Sequence, residues 1–133
     1  MQSPTLLAGD WMDGLIAEHQ AVLKLLDRAD VFIENFKPGR MDSLGFGYAA
    51  LRQRNPRLIY ATHKGFLAGP YDQRLALDEV VQMMAGLAYM TGPVGRPLRA
   101  GSSVNDIMGG MFGAIGVLAA LTERQRSGCG REV

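Results

Sequence analysis

The sequence predicts an α/β protein built on a parallel sheet, and three observations carry that prediction. VFIENF (Val31–Phe36) and RLIYATH (Arg57–His63) are short β-branched and aromatic runs, the pattern of strands. Between them lie a turn and a helical stretch, about 20 residues in all, long enough for the right-handed crossover that parallel strands require. The second half turns to helical periodicity and ends in IMGGMFGAIGVLAAL (Ile107–Leu121), which holds neither a charge nor a strong hydrogen-bonding side chain.

In chain order, Leu15, Ile16, His19, Val22, Leu23 and Leu26 recur at three- and four-residue steps and predict an amphipathic helix. Ala29-Asp30 turns the chain into the first strand, Val31–Phe36, and KPGR (Lys37–Arg40) is a Pro-Gly turn. Tyr48–Arg54 is a short helix ended by Asn55-Pro56, because a residue before proline disfavours the α conformation. Arg57–His63 is the second strand and GFLAGPYDQ (Gly65–Gln73) a loop. Leu77–Tyr89 reads as one helix, with Asp78 and Glu79 in its first turn, where the helix dipole favours anions. After the loop TGPVGRP (Thr91–Pro97), a last helix runs from about Val104 to Arg126 and stops at Gly128. REV (Arg131–Val133) looks like a further strand beginning. Sheets usually have more than two strands, so the chain is expected to be a piece of a larger α/β protein.

Composition narrows the function classes. A hydrophobic content of 47% with 20% charged residues is globular, and a formal net charge of +1 gives no bulk electrostatic basis for binding nucleic acid or an anionic membrane. Cys129 is the single cysteine, so no internal disulfide forms and a reducing compartment is expected. The opening MQSPTLLAGDWMDG has neither the basic start nor the apolar run of a signal peptide. Ile107–Leu121 is shorter than the ~18–20 apolar residues of a bilayer span and is diluted by Gly109, Gly110, Gly113 and Gly116. A cytoplasmic protein with no membrane or nucleic-acid partner is therefore expected. Two histidines and one cysteine without ligand spacing predict no metal site.

Asp106 raises a question, because it is a carboxylate at the mouth of the most apolar segment. Ser102, Ser103 and Asn105 are all good helix caps, and Asp106 in the first turn is favourable by ~0.3–1 kcal/mol. With three caps before it, the helix does not need this carboxylate to begin. The glycines that follow each cost about 1 kcal/mol against alanine inside a helix. They read either as close packing against another backbone or as room for a bulky reactant beside Asp106.

ADVFIENFKPGRMDSLGFGYAALRQRNPRLIYATHKGF, then ALDEVVQMMAGLAYMTG, then NDIMGGMFGAIGVLAALTERQRSGCG, resemble the class III CoA-transferase family in order and spacing, from about Leu15 to Val133. That family includes CoA-transferases and an α-methylacyl-CoA racemase, on much longer chains. The resemblance implies that residues 1–133 are part of a Rossmann-like, parallel-sheet large domain, without its opening strand and without a glycine-rich loop that closes over the site. It implies transfer of coenzyme A between small carboxylic or dicarboxylic acids, with acyl-CoA as a substrate and no permanently bound cofactor. Asp106 matches the family's catalytic aspartate, which forms an aspartyl-CoA thioester. The implied partners are an acyl-CoA donor, an acid acceptor and, in the full-length protein, a second copy in an interlocked homodimer.

The resemblance also distributes roles. Asn35 and Phe36 match a segment lining the CoA site. Lys37 and Arg40 follow in a turn at a strand's C-terminal end, where α/β folds bind ligands, and are candidates for the nucleotide phosphates; the alternative is a solvated basic turn. Asp78 falls where relatives carry an acid that shapes the site, its alternative being a plain helix-start anion. Ser43 stands where many relatives have arginine. Leu77 stands where the racemase has its histidine, and leucine exchanges no proton, which weighs against a racemase on the same scaffold. His63 reads as a polar strand end, and Lys64 receives no role. An inactive CoA-binding piece is the remaining alternative, and the chain alone is expected to show little turnover.

Overall fold

The computed structural model describes residues 8–133, with side chains from Gly14 onward. In chain order it forms α1 (Ala8–Leu26), β1 (Val31–Glu34), α2 (Arg40–Ser43), α3 (Tyr48–Arg54), β2 (Ile59–Thr62), α4 (Asp78–Met84), α5 (Leu87–Thr91) and α6 (Val104–Ser127). β1 and β2 pair in parallel with Val31 opposite Ile59 and Glu34 opposite Thr62, as the crossover spacing predicts. On the other edge of β2, Tyr60 forms a parallel bridge with Glu132. Tyr60 donates to the Arg131 carbonyl at 2.9 Å and Val133 donates to the Tyr60 carbonyl at 2.8 Å. Arg131–Val133, expected to begin a strand, thus pairs with β2 through this single bridge. Among the described residues β2 is central and is buried through Ile59, Tyr60 and Ala61, whereas Ile33 of β1, which has a strand on one side only, stays exposed.

One face of the sheet holds the core. Leu23 and Leu26 of α1 meet Leu51 of α3, Leu58 and Tyr60, with Ala29, Phe32, Phe46 and Tyr48 packed around them. The Phe32 and Tyr60 rings meet edge to face at 5.2 Å. Leu51 is 1% exposed, so Leu51→Ala is expected to cost about 2–5 kcal/mol through lost burial and a residual cavity. Urea denaturation of the natural full chain measures it, and a loss below about 1 kcal/mol would show that this core is not closely packed. The apolar stripe of α1 is only half covered: Leu23 and Leu26 are buried, while Leu15 and Ile16 are exposed. His19 stacks on Phe46 and donates through Nε2 to the Leu44 carbonyl at 2.8 Å, which ties α1 to the end of α2.

Glycine geometry accounts for two departures from the expected elements. The Pro-Gly turn feeds a one-turn helix, α2, because Gly39 adopts φ 76° and redirects the chain at that point. The single helix expected over Leu77–Tyr89 is two, because Gly86 at φ 84° interrupts it between α4 and α5. A left-handed residue cannot continue a right-handed helix. Periodicity is blind to this, since the apolar spacing runs on through the break.

α6 begins and ends close to expectation, with Gly128 left-handed at φ 74° and donating to the Arg124 carbonyl at 2.8 Å. Arg124 is buried and fastens this end of the helix to the sheet. It donates to the Arg57 carbonyl at 2.8 Å and to Asp30 Oδ1 at 2.7 Å. The helix also corrects the length expectation. It has 24 residues, and an 18-residue stretch has mean hydropathy 1.6, so by length and composition it is long and apolar enough to cross a membrane. One flank nevertheless lies on the sheet side. A Cβ at Gly113 would come within 2.6 Å of the His63 ring, and one at Gly116 within 2.6 Å of Val133. The other flank, with Met111, Phe112, Ile115 and Leu118, is left exposed by the described residues.

Candidate active site

The C-terminal ends of the parallel strands and the N-termini of α4 and α6 converge on a cavity of about 750 Å3. This is where parallel α/β sheets bind ligands, because strand carboxyl ends and helix amino ends open together there. Asn35 follows β1, His63 and Lys64 follow β2, Leu77 and Asp78 begin α4, and Asn105 and Asp106 open α6; all line this cavity.

Asp106 is the third residue of α6, and its side chain is exposed to the cavity. The helix is not capped as expected: the Ser103 side chain makes no capping hydrogen bond. The cap comes instead from another helix. Asp78 Oδ1 accepts the Asn105 N–H at 2.7 Å and the Asp106 N–H at 3.3 Å, and the Asn105 side chain donates to the Asp78 carbonyl at 3.4 Å. Two backbone donors that a helix start leaves unpaired are satisfied by a carboxylate 27 and 28 residues away in sequence. The Asp106 carboxylate is thereby free of that duty.

Asp78 is 5% exposed. Burial pushes its carboxyl pKa up, but the hydrogen bonds from Gln82, Asn105 and Asp106, with the Arg99 charge, outweigh burial and hold it below the usual carboxylate value. Arg99 reaches Asp78 Oδ2 at 3.8 Å and Glu79 at 3.9 Å. Gln82, one turn further along α4, is fully buried. It donates to Asp78 Oδ2 and, at 3.2 Å, to the Ser102 carbonyl, and it accepts the Ala100 N–H at 2.7 Å.

A second cavity, of about 260 Å3, adjoins the first and is lined by Phe36, Lys37, Met41, Tyr48 and Tyr60 among others. Glu34 and Lys64 line both. Glu34 is buried and fixed by the Phe36 N–H at 2.7 Å and by the Thr62 hydroxyl, which makes it a rigid partition. Burial, then the Glu34, Asp42 and Glu132 carboxylates, push the Tyr60 phenol pKa up, so it stays protonated in this wall.

The predicted residues therefore divide. Asp106, Asp78 and Asn35 share the larger cavity, and Phe36 and Lys37 the smaller. Arg40, expected beside the phosphates, lines neither, because Gly39 turns the chain into α2 just before it. The Ser43 hydroxyl donates to the Arg40 carbonyl at 2.8 Å and is engaged within α2. The glycine question resolves position by position. Gly113 and Gly116 serve close packing, whereas Gly109 borders the larger cavity and a Cβ there would meet nothing. Two residues at the site are not among the expected ones: His63, a wall residue of the larger cavity, and Gln82, bonded to Asp78 and Ala100. The position of His63 at a strand's carboxyl end was a usable signal, as was the four-residue step from Asp78 to Gln82 on one helix face.

Comparison with known proteins identifies the scaffold. The family model described as CoA-transferase family III matches residues 16–133. The chain belongs to CoA-transferase family III. An acetyl-CoA:oxalate CoA-transferase of Acetobacter aceti is 46% identical over 114 residues, covering 84% of this chain and 29% of that protein. A formyl-CoA:oxalate CoA-transferase of Streptomyces avermitilis is 40% identical over 115 residues, covering 86% of this chain and 28% of that protein. The crystal structure of a CAIB/BAIF family protein from Brucella suis superposes with a TM-score of 0.81 at 38% identity, covering 86% of this chain and 31% of that one. The chain thus spans less than a third of the length of these two relatives.

Proposed function

We propose that the protein carrying this chain transfers coenzyme A between small carboxylic or dicarboxylic acids, with Asp106 as the nucleophile. The observation that carries this reading is the division of labour at the start of α6: Asp78 takes the capping role, and the Asp106 carboxylate opens on a cavity large enough for a thioester. Both relatives named above are CoA-transferases acting with oxalate, which supports a small dicarboxylic acid as acceptor.

In this mechanism an Asp106 carboxylate oxygen attacks the thioester carbonyl, and the C–S bond breaks to give a mixed anhydride and CoA thiolate. The thiolate attacks Asp106 Cγ, expels the donor acid as its carboxylate and leaves an aspartyl-CoA thioester. The acceptor carboxylate then attacks that thioester, and the released thiolate attacks the acceptor acyl carbon of the new anhydride. The new acyl-CoA departs and the Asp106 carboxylate is restored. Holding the reactants together converts bimolecular attacks into intramolecular ones, the main gain open to a weak carboxylate nucleophile. Phe36 and Lys37 line the adjoining cavity, which supports a role for them in holding the CoA moiety, Lys37 as a phosphate partner. Arg40 would reach the phosphates only from outside both cavities.

Incubation of the natural full chain with acyl-CoA, followed by peptide mass spectrometry, is expected to place an adduct on the Asp106 peptide. An adduct elsewhere, or none, would sink the assignment. A second reading, an acyl-CoA racemase, is favoured by one observation: His63 lines the same cavity as Asp106 and supplies a proton-exchanging side chain that Leu77 lacks. Solvent deuterium at the substrate α-carbon without acceptor acid would support the racemase, and its absence with acyl transfer intact would support the transferase.

The exposed flank of α6 also leads us to propose that residues 1–133 alone self-associate and turn over little. Met111, Phe112, Ile115 and Leu118 form an uncovered apolar stripe, a surface that drives association. In the full-length protein the same flank would serve the homodimer. Light scattering on a size-exclusion column, run with a CoA-transfer assay, checks both points. A stable monomer with full turnover would contradict them.

A further inference from the structure

Gln82 does not line the cavity, yet its carboxamide is engaged at both ends on the elements that hold Asp106. Its nitrogen donates to Asp78 Oδ2 and to the Ser102 carbonyl at 3.2 Å, and its oxygen accepts the Ala100 N–H at 2.7 Å. Binding Oδ2 fixes the rotation of the Asp78 carboxylate, so that Oδ1 is the oxygen presented to the Asn105 and Asp106 amides. Holding Ala100 and Ser102 fixes the segment that leads into Ser103 and α6. One side chain thus sets both the cap and the approach of the nucleophile's helix. A core position needs none of this polarity, since a methionine would fill the same space without burying an amide.

We propose that Gln82 is a positioning residue for Asp106, acting through the Asp78 carboxylate and the Ala100–Ser102 segment to set the first turn of α6. The proposal rests on the reading of Asp106 as nucleophile. A displacement of about 1 Å in a reacting group costs roughly 10²-fold in rate, whereas a core residue without this role would change the number of folded molecules and leave each site as fast as before.

The test uses the natural full-length protein with Gln82→Met, which keeps volume and removes every hydrogen bond, and Gln82→Glu, which keeps the acceptor for Ala100 but sets a second carboxylate against Asp78. Two readouts are followed: the rate of Asp106 acylation per titrated site, and hydrogen exchange at the Asn105 and Asp106 amides. For both variants the expected result is acylation slowed about 10–100-fold, KM for acyl-CoA changed by no more than about twofold, and faster exchange at those two amides. Unchanged rate per site in either folded variant would overturn the proposal. So would unprotected Asn105 and Asp106 amides in the unsubstituted protein, a measurement that stands even if both variants fail to fold. If the unsubstituted protein forms no Asp106 adduct but Gln82→Met still releases the two amides, the nucleophile reading falls and the coupling of Gln82 to the cap is supported.

Discussion

Asp106→Ala is expected to abolish CoA transfer, lowering kcat by roughly 10⁴-fold or more, while leaving the protein folded and able to bind acyl-CoA. The fold should survive because the amides at the start of α6 are held by Asp78 and not by the Asp106 side chain. Removing the Asp106 charge forfeits only its interaction with the helix dipole, about 0.3–1 kcal/mol. Binding should survive because Phe36 and Lys37 lie in the neighbouring cavity, beyond the Glu34 partition. Asp106→Asn should be as inactive as Asp106→Ala, since a neutral amide keeps the shape but is no nucleophile. Steady-state kinetics with calorimetric titration of CoA separates these effects. Normal turnover by either variant would remove Asp106 from the mechanism.

Asp78→Ala should slow acylation of Asp106 by about 10²-fold and make stability less sensitive to acid. The folded protein holds the Asp78 carboxyl below its ordinary pKa: burial raises it, but the Gln82, Asn105 and Asp106 hydrogen bonds and the Arg99 charge prevail. A depressed folded pKa means that the unfolded chain binds the proton first. The stabilisation is therefore fully present above the unfolded value of about 3.9 and is lost as pH falls through the lower folded value. Urea unfolding at a series of pH values should show a constant gap between the unsubstituted protein and Asp78→Ala near neutrality, narrowing below about pH 4. Asp78→Asn, which keeps an acceptor for the two amides, should recover part of the acylation rate. A gap that widens in acid would mean that Asp78 is not held as a carboxylate.

Legibility followed the range of the forces involved. The strands at Val31–Glu34 and Ile59–Thr62, the stop at Asn55-Pro56 and the left-handed end at Gly128 depend on neighbours within a turn or two, so side-chain pattern reveals them. The Gly86 break is local too, but a glycine within an apolar helical pattern is ambiguous, because it either stays in the helix at a cost of about 1 kcal/mol or leaves it.

The residue order by itself determined that this is an α/β chain with a parallel crossover, and that its last helix opens with a carboxylate among apolar residues. It also carried the motifs of CoA-transferase family III, since the match spans residues 16–133. Only the tertiary structure decided what surrounds that carboxylate. Ser102, Ser103 and Asn105 are all chemically able to cap α6, and nothing local excludes them. A buried carboxylate on α4, fixed by Gln82 and reached through the fold, takes the helix amides instead. The glycines after Asp106 are equivalent as letters and separate only when the sheet arrives, with Gly113 under His63 and Gly116 under Val133 while Gly109 faces the cavity. Periodicity and turn chemistry act along the chain, whereas a cap given by one helix to another depends on where packing places two segments far apart in it.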